Sequence, residues 1–83
     1  MPDVKQAFDR ILNAWDNNVS NSDIYHMILE WIKNYKNHIK DQGAIEEILT
    51  RMSDNESTND IVEDFIYGAE YKKLRSQFVK QDS

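Results

Sequence analysis

The apolar residues in the last third of the chain keep a helical period but change side at Gly68. Ahead of it, Ile61, Val62, Phe65 and Ala69 recur on one side, and around and beyond it Tyr67, Tyr71, Leu74 and Phe78 recur at the same spacing. At about 100° per residue, the two stripes lie about 170° apart on a straight helix. Two arrangements satisfy this pattern. A straight helix buries one stripe at home and offers the other to a partner, whereas a helix broken at Gly68 folds the second stripe back onto its own core. Glycine inside a helix costs only about 1 kcal/mol relative to alanine, so Gly68 alone does not choose between them. A short domain rarely spares so many large apolar groups, which favours the fold-back.

Eighty-three residues make a single helical domain, 1–83, with no room for a second core. Such a chain buries about 60–65% of its unfolded surface and reaches a stability of roughly 5 kcal/mol. It has no cysteine, so neither disulfides nor thiolate metal sites reinforce that core, and this usage fits a reducing compartment. No apolar run approaches the ~20 residues of a membrane span and no signal-peptide core is present, so the expectation is a cytoplasmic protein with no membrane partner.

The net charge is −5, unevenly spread. Residues 41–70 hold nine acids against one base, Arg51, a local net charge of −8. Lys33, Lys36 and Lys40 precede this block without an acid among them, and Lys72, Lys73, Arg75 and Lys80 follow it against Asp82. Phosphate binding needs clustered cations, so the acidic body argues against direct contact with nucleic acid. It suits a protein partner with a basic surface, or solubility alone.

Four helical patterns and no strand pattern are visible, interrupted by one proline and two glycines. The first runs from Pro2 to Trp15, with Pro2 and Asp3 suited to its first turn and Val4, Ala7, Phe8, Ile11, Leu12 and Trp15 on one stripe. The polar run Asp16-Asn17-Asn18 ends it. The second has Ser20 as N-cap with Asp23 three residues on, and Val19 with Ile24 as a hydrophobic staple. Its apolar face (Ile24, Met27, Ile28, Trp31, Ile32, Tyr35 and Ile39, flanked by Tyr25 and Leu29) covers about half the circumference, as expected of the central helix. Gly43 reads as the stop after it. A short third helix follows from Ala44 to Met52, with Ile45, Ile48, Leu49 and Met52 buried. The polar loop 53–58 leads to Ser57 and Asp60, which cap a fourth helix from Asn59 to about Val79. The expected fold is an all-α bundle of four helices, or five if Gly68 breaks the last.

Catalytic chemistry finds little support. His26 and His38 are twelve apart and project from the polar margin of the second helix with no acid-base partner in sequence. The adjacent acids Glu46-Glu47 and Glu63-Asp64 diverge by about 100° on a helix and cannot share a proton. There is no glycine-rich phosphate loop and no nucleophile motif. Asp54, Glu56 and Thr58 occupy the first ligand positions of an EF-hand loop, with Ile61 at its hydrophobic position. Asn59 replaces the loop glycine and Phe65 the closing glutamate, so a plain linker is the better reading. The sequons at Asn18 and Asn55 carry meaning only on a secretory route. No cofactor or metal is expected.

The strongest candidate is the outer face of a straight fourth helix, carrying Asp60, Glu63, Asp64, Tyr67, Glu70, Tyr71, Leu74 and Phe78. Acids lead and aromatics follow, the make-up of a binding hot spot with steering charge around desolvated anchors. The expectation is a non-catalytic protein-binding module, an inhibitor or regulator that docks on a basic, nucleic-acid-binding type of surface. The alternative is a homodimer pairing through the same C-terminal stripe. Small size, acidity and helicity are traits shared with small acidic immunity, antitoxin and phage inhibitor proteins, an analogy of composition carried by no motif.

Overall fold

Polar junctions cut the chain into helices, and each junction is closed by identifiable side chains. In a computed structural model, which describes residues 3–79, the elements are α1 (Val4–Asp16), α2 (Asn21–Tyr35), α3 (Gln42–Ser53), α4 (Thr58–Ile66) and α5 (Lys72–Ser76). Single 3₁₀ turns at Lys36–His38 and Ala69–Tyr71 follow α2 and precede α5. The described residues contain no strand, so the chain is an all-α bundle in its five-helix form. Pro2 and the stretch 80–83 lie outside the described residues.

Three helix starts use the caps that short polar residues provide. Ser20 Oγ accepts the N–H of Asp23 at 3.2 Å, Asp41 Oδ1 that of Ala44 at 3.2 Å, and Ser57 Oγ that of Asp60 at 3.4 Å. Two helix ends use asparagine where glycine is usual. Asn18 and Asn55 adopt left-handed φ values of 60° and 58°. In each case the residue after the asparagine bonds back to the third-last helical carbonyl, Val19 to Ala14 and Glu56 to Arg51. The asparagines themselves bond to Trp15 and Met52, which completes two Schellman motifs.

One sequence boundary moves. Gly43 does not stop the second helix; it lies in the first turn of α3. The α2 helix ends eight residues earlier at Tyr35 and tightens into the 3₁₀ turn, after which Ile39 is extended. The physical reason is the Asp41 cap, assisted by the Gln42 side-chain amide, which donates to the carbonyls of Lys36 and Ile39. Together they start α3 two residues before Ala44.

The core collects one side of every helix. Phe8 of α1 and Trp31 of α2 each contact both Phe65 of α4 and Phe78 beyond α5, with ring centroids 5.2–5.8 Å apart. Tilted and edge-on geometries of this kind add roughly 0.5–1.5 kcal/mol per pair beyond burial. Ile24, Ile28, Ile32, Ile45, Ile48, Ile61 and Leu74 fill the space around the rings. The Trp31 indole N–H donates to the Val4 carbonyl at 2.9 Å, and among the described residues no buried side-chain nitrogen or oxygen lacks a partner. As expected of a central helix, α2 packs against both α1 and α4.

The ambiguity at Gly68 resolves as a break. Gly68 is extended (φ −67°, ψ 151°), and a Cβ there would lie 2.7 Å from the Cα of Asp64. Were the helix continuous, Gly68→Ala would stabilise by about 1 kcal/mol. The close approach to Asp64 reverses the sign, and the substitution is expected to destabilise by about 1–3 kcal/mol in chemical denaturation. Asn18→Gly and Asn55→Gly are each expected to raise the unfolding free energy in chemical denaturation by up to about 1 kcal/mol, because glycine carries no side-chain penalty in the left-handed region.

Candidate functional site

Breaking at Gly68 redistributes the residues that a straight helix would have displayed together. Tyr71, Leu74 and Phe78 are buried in the core, against the expectation that they anchor a partner or pair two copies. The break turns them through the extended Gly68, so the stripe that lay opposite Ile61, Val62 and Phe65 joins them in one core. Ala69, expected on the inner stripe, is exposed instead. Of the large apolar members of the candidate face only Tyr67 remains at the surface, 58% exposed.

The acids divide into two groups. Arg51, the single base of the acidic block, lies beneath four polar groups and is only 12% exposed. It donates from Nε to Glu56 at 2.8 Å, from Nη2 to Asp64 at 2.9 Å, and from Nη1 to the Tyr71 hydroxyl at 2.9 Å and Glu70 at 3.4 Å. The Tyr71 hydroxyl in turn donates to Glu47 at 2.7 Å. Burial opposes the Arg51 charge, but the bonds with Tyr71, Glu56 and Asp64 outweigh it and hold the guanidinium above its usual pKa. Burial, and then the Glu47 contact, push the Tyr71 phenol well up. Asp64 and Glu70 of the candidate face are therefore occupied within the fold. Asp60 is exposed and Glu63 half-buried, and neither joins an ion pair among the described residues.

Arg75 is similarly spent. Its guanidinium donates to the carbonyls of Asp64 at 2.9 Å and Phe65 at 3.0 Å in the last turn of α4 and to that of Gly68 at 2.6 Å in the break. Burial lowers its pKa from the ordinary value. Gln77 completes the attachment of the C-terminal arm, donating to the His38 carbonyl at 2.9 Å and accepting from the Lys40 N–H at 2.7 Å.

With Arg51 and Arg75 engaged within the fold, the two stretches that meet at the end of α1, the start of α2 and α4 bring no lysine or arginine of their own. Residues 11–32 and 52–71 contain no lysine or arginine; of their nine acids, Glu56, Asp64 and Glu70 pair with Arg51 and Glu30 shares a hollow with Arg10, which leaves Asp16, Asp23, Asp54, Asp60 and Glu63. The fold sets these two stretches side by side: the Asn21 amide donates to Asn59 at 2.8 Å, and the Trp15 and Tyr67 rings lie 5.8 Å apart. Trp15, Asp16 and Asp23 were not among the sequence candidates. Their only signal is that the two cation-free stretches are similar in length, and nothing in the chain order says that they meet. Partial desolvation, then the adjacent Glu63 and Asp64 carboxylates, raise the Tyr67 phenol above its usual pKa.

The loop after α3 serves as a C-cap and a linker. Among the described residues no group of three histidine or acidic side chains is placed to hold a metal ion. No described helix is long and apolar enough to cross a membrane. No family model, curated protein or solved structure matches the chain.

Tyr71→Phe is expected to cost about 1–2 kcal/mol near neutral pH, since Glu47 and Arg51 each lose a partner. The folded protein holds the Tyr71 proton more tightly than the unfolded chain does. Stability from this group is therefore complete below about pH 10 and declines as the pH rises further toward the folded value. Thermal melts above that pH are expected to show the wild type losing its advantage over Tyr71→Phe; a constant gap would refute the assignment.

Proposed function

We propose that the protein is a non-catalytic binding module, an inhibitor or regulator that sets its acidic face against a basic surface of a protein partner. The observation that carries this reading is the meeting of the two cation-free stretches, 11–32 and 52–71, on adjoining helices. Charge of one sign over a continuous surface raises the rate of encounter with an oppositely charged partner and disfavours wrong ones. Arg51 offsets part of it through Glu56, Asp64 and Glu70, whereas Arg75 is directed to backbone carbonyls, so the charge left to a partner is that of the acids outside the Arg51 cluster. Three of the four groups with shifted pKa values, Arg51, Tyr71 and Arg75, are tied into structural bonds, which supports a non-catalytic role for them; the fourth, Tyr67, lies on the proposed face. A basic surface that otherwise binds nucleic acid is the class of partner such a face fits, since acid patches can occupy sites built for phosphates.

Asp60 and Glu63 are the residues to reverse, because Asp64 has a structural duty to Arg51. With a basic protein retained by the immobilised chain, the double substitution Asp60→Lys, Glu63→Lys is expected to slow association about tenfold at low ionic strength while changing dissociation little. The difference should shrink as salt is added. An unchanged association rate, or no basic protein retained at physiological salt, would overturn the reading.

A further inference from the structure

The end of α1 and the end of α4 converge on a pair of aromatic rings. Trp15 is the penultimate residue of α1 and Tyr67 the C-cap of α4; their rings meet at 5.8 Å and 55°. Tyr67 is the most exposed large apolar side chain among the described residues, and Val19, 36% exposed, borders the same hollow as Trp15. Helix C-termini carry partial negative charge and are ordinarily complemented by bases. Neither helix carries a base of its own in its last turn, and although Arg75 reaches the carbonyls at the end of α4, α1 ends on Asp16 and Glu63 and Asp64 lie in the last turn of α4. Asp64 answers to Arg51, but no ion pair among the described residues engages Asp16 or Glu63. The exposed Tyr67 and the half-buried Trp15 thus stand beside the carboxylates of Asp16 and Glu63, an arrangement complementary to a cation.

Resting on the proposed function, we infer that the Trp15–Tyr67 pair is the anchor of the docking face and receives an arginine side chain from a basic segment of the partner. Arginine fits better than lysine because its planar guanidinium stacks on an aromatic face while its N–H groups point outward to flanking carboxylates. The surrounding acids steer the segment in, and the rings supply the contact that ends the encounter.

The test uses the full chain and short capped peptides of arginine or of lysine at low ionic strength, followed through the two indole N–H resonances. Trp31 is an internal control, since its indole N–H is bound to the Val4 carbonyl within the core. The arginine peptide is expected to shift the Trp15 signal and leave Trp31 in place, to bind several-fold more tightly than the lysine peptide, and to lose about fivefold to tenfold in affinity with Tyr67→Leu but little with Tyr67→Phe. Equal affinity for the two peptides, unaltered by Tyr67→Leu but weakened by Asp60→Lys with Glu63→Lys, would overturn the aromatic anchor and leave acidic docking standing. Absence of binding by either peptide would overturn both.

Discussion

The contact on which the rest of the structure depends is that of Arg75 with the end of α4. An abrupt helix end exposes carbonyls that need donors, and the Arg75 guanidinium supplies donors to two of them, at Asp64 and Phe65, and to the Gly68 carbonyl of the turn itself. Because Gly68 has no side chain, the turn can pass within contact distance of the Asp64 backbone. The direction of the chain after the turn then brings Tyr71, Leu74 and Phe78 onto the same core as Phe65. Without that turn, Phe8 and Trp31 would each lack one of the three rings that it contacts.

Arg51 does for charge what Arg75 does for the backbone. A block with nine acids and one base would repel itself if the base were merely solvated. Instead, Arg51 sits at the centre of the acids from α3, the α3–α4 loop, α4 and the C-terminal arm, with the Tyr71 hydroxyl joining the arm to Glu47. Its carboxylate partners are half in water, so each pair taken singly is worth little; the value lies in one side chain tying four segments together. Asp16, Asp23, Asp60 and Glu63, which join no ion pair among the described residues, lie at the α1 end, the α2 start and α4, and that unbalanced charge is the basis for the proposed partner face.

Much of the local structure is legible in the chain. Ser20 and Ser57 mark helix starts because a short hydroxyl beside free N–H groups has few better uses, and the stripe Val4, Ala7, Phe8, Ile11 identifies α1 by period alone. The start of α3 was less legible. Glycine is both a helix stop and a tolerated first-turn residue, and the Asp41 and Gln42 side chains, not Gly43, decided which applied. For the site, Asp60, Glu63 and Tyr67 were recognisable from spacing and stayed at the surface. Tyr71, Leu74 and Phe78 were misplaced because helical spacing extrapolates only as far as the helix continues.

By itself the sequence determined the helical class, the Ser20 and Ser57 caps, the acidic balance and the existence of two stripes whose phases disagree at Gly68. These follow from interactions within a few residues or from composition, which chain order records directly. Tertiary structure decided that the stripes share one core, that Asp64 and Glu70 are tied to Arg51, and that Trp15 meets Tyr67 where the two stretches without lysine or arginine adjoin. Those outcomes depend on contacts between residues 13 to more than 50 positions apart, where the competing arrangements differ by packing and desolvation of groups that no local pattern brings together.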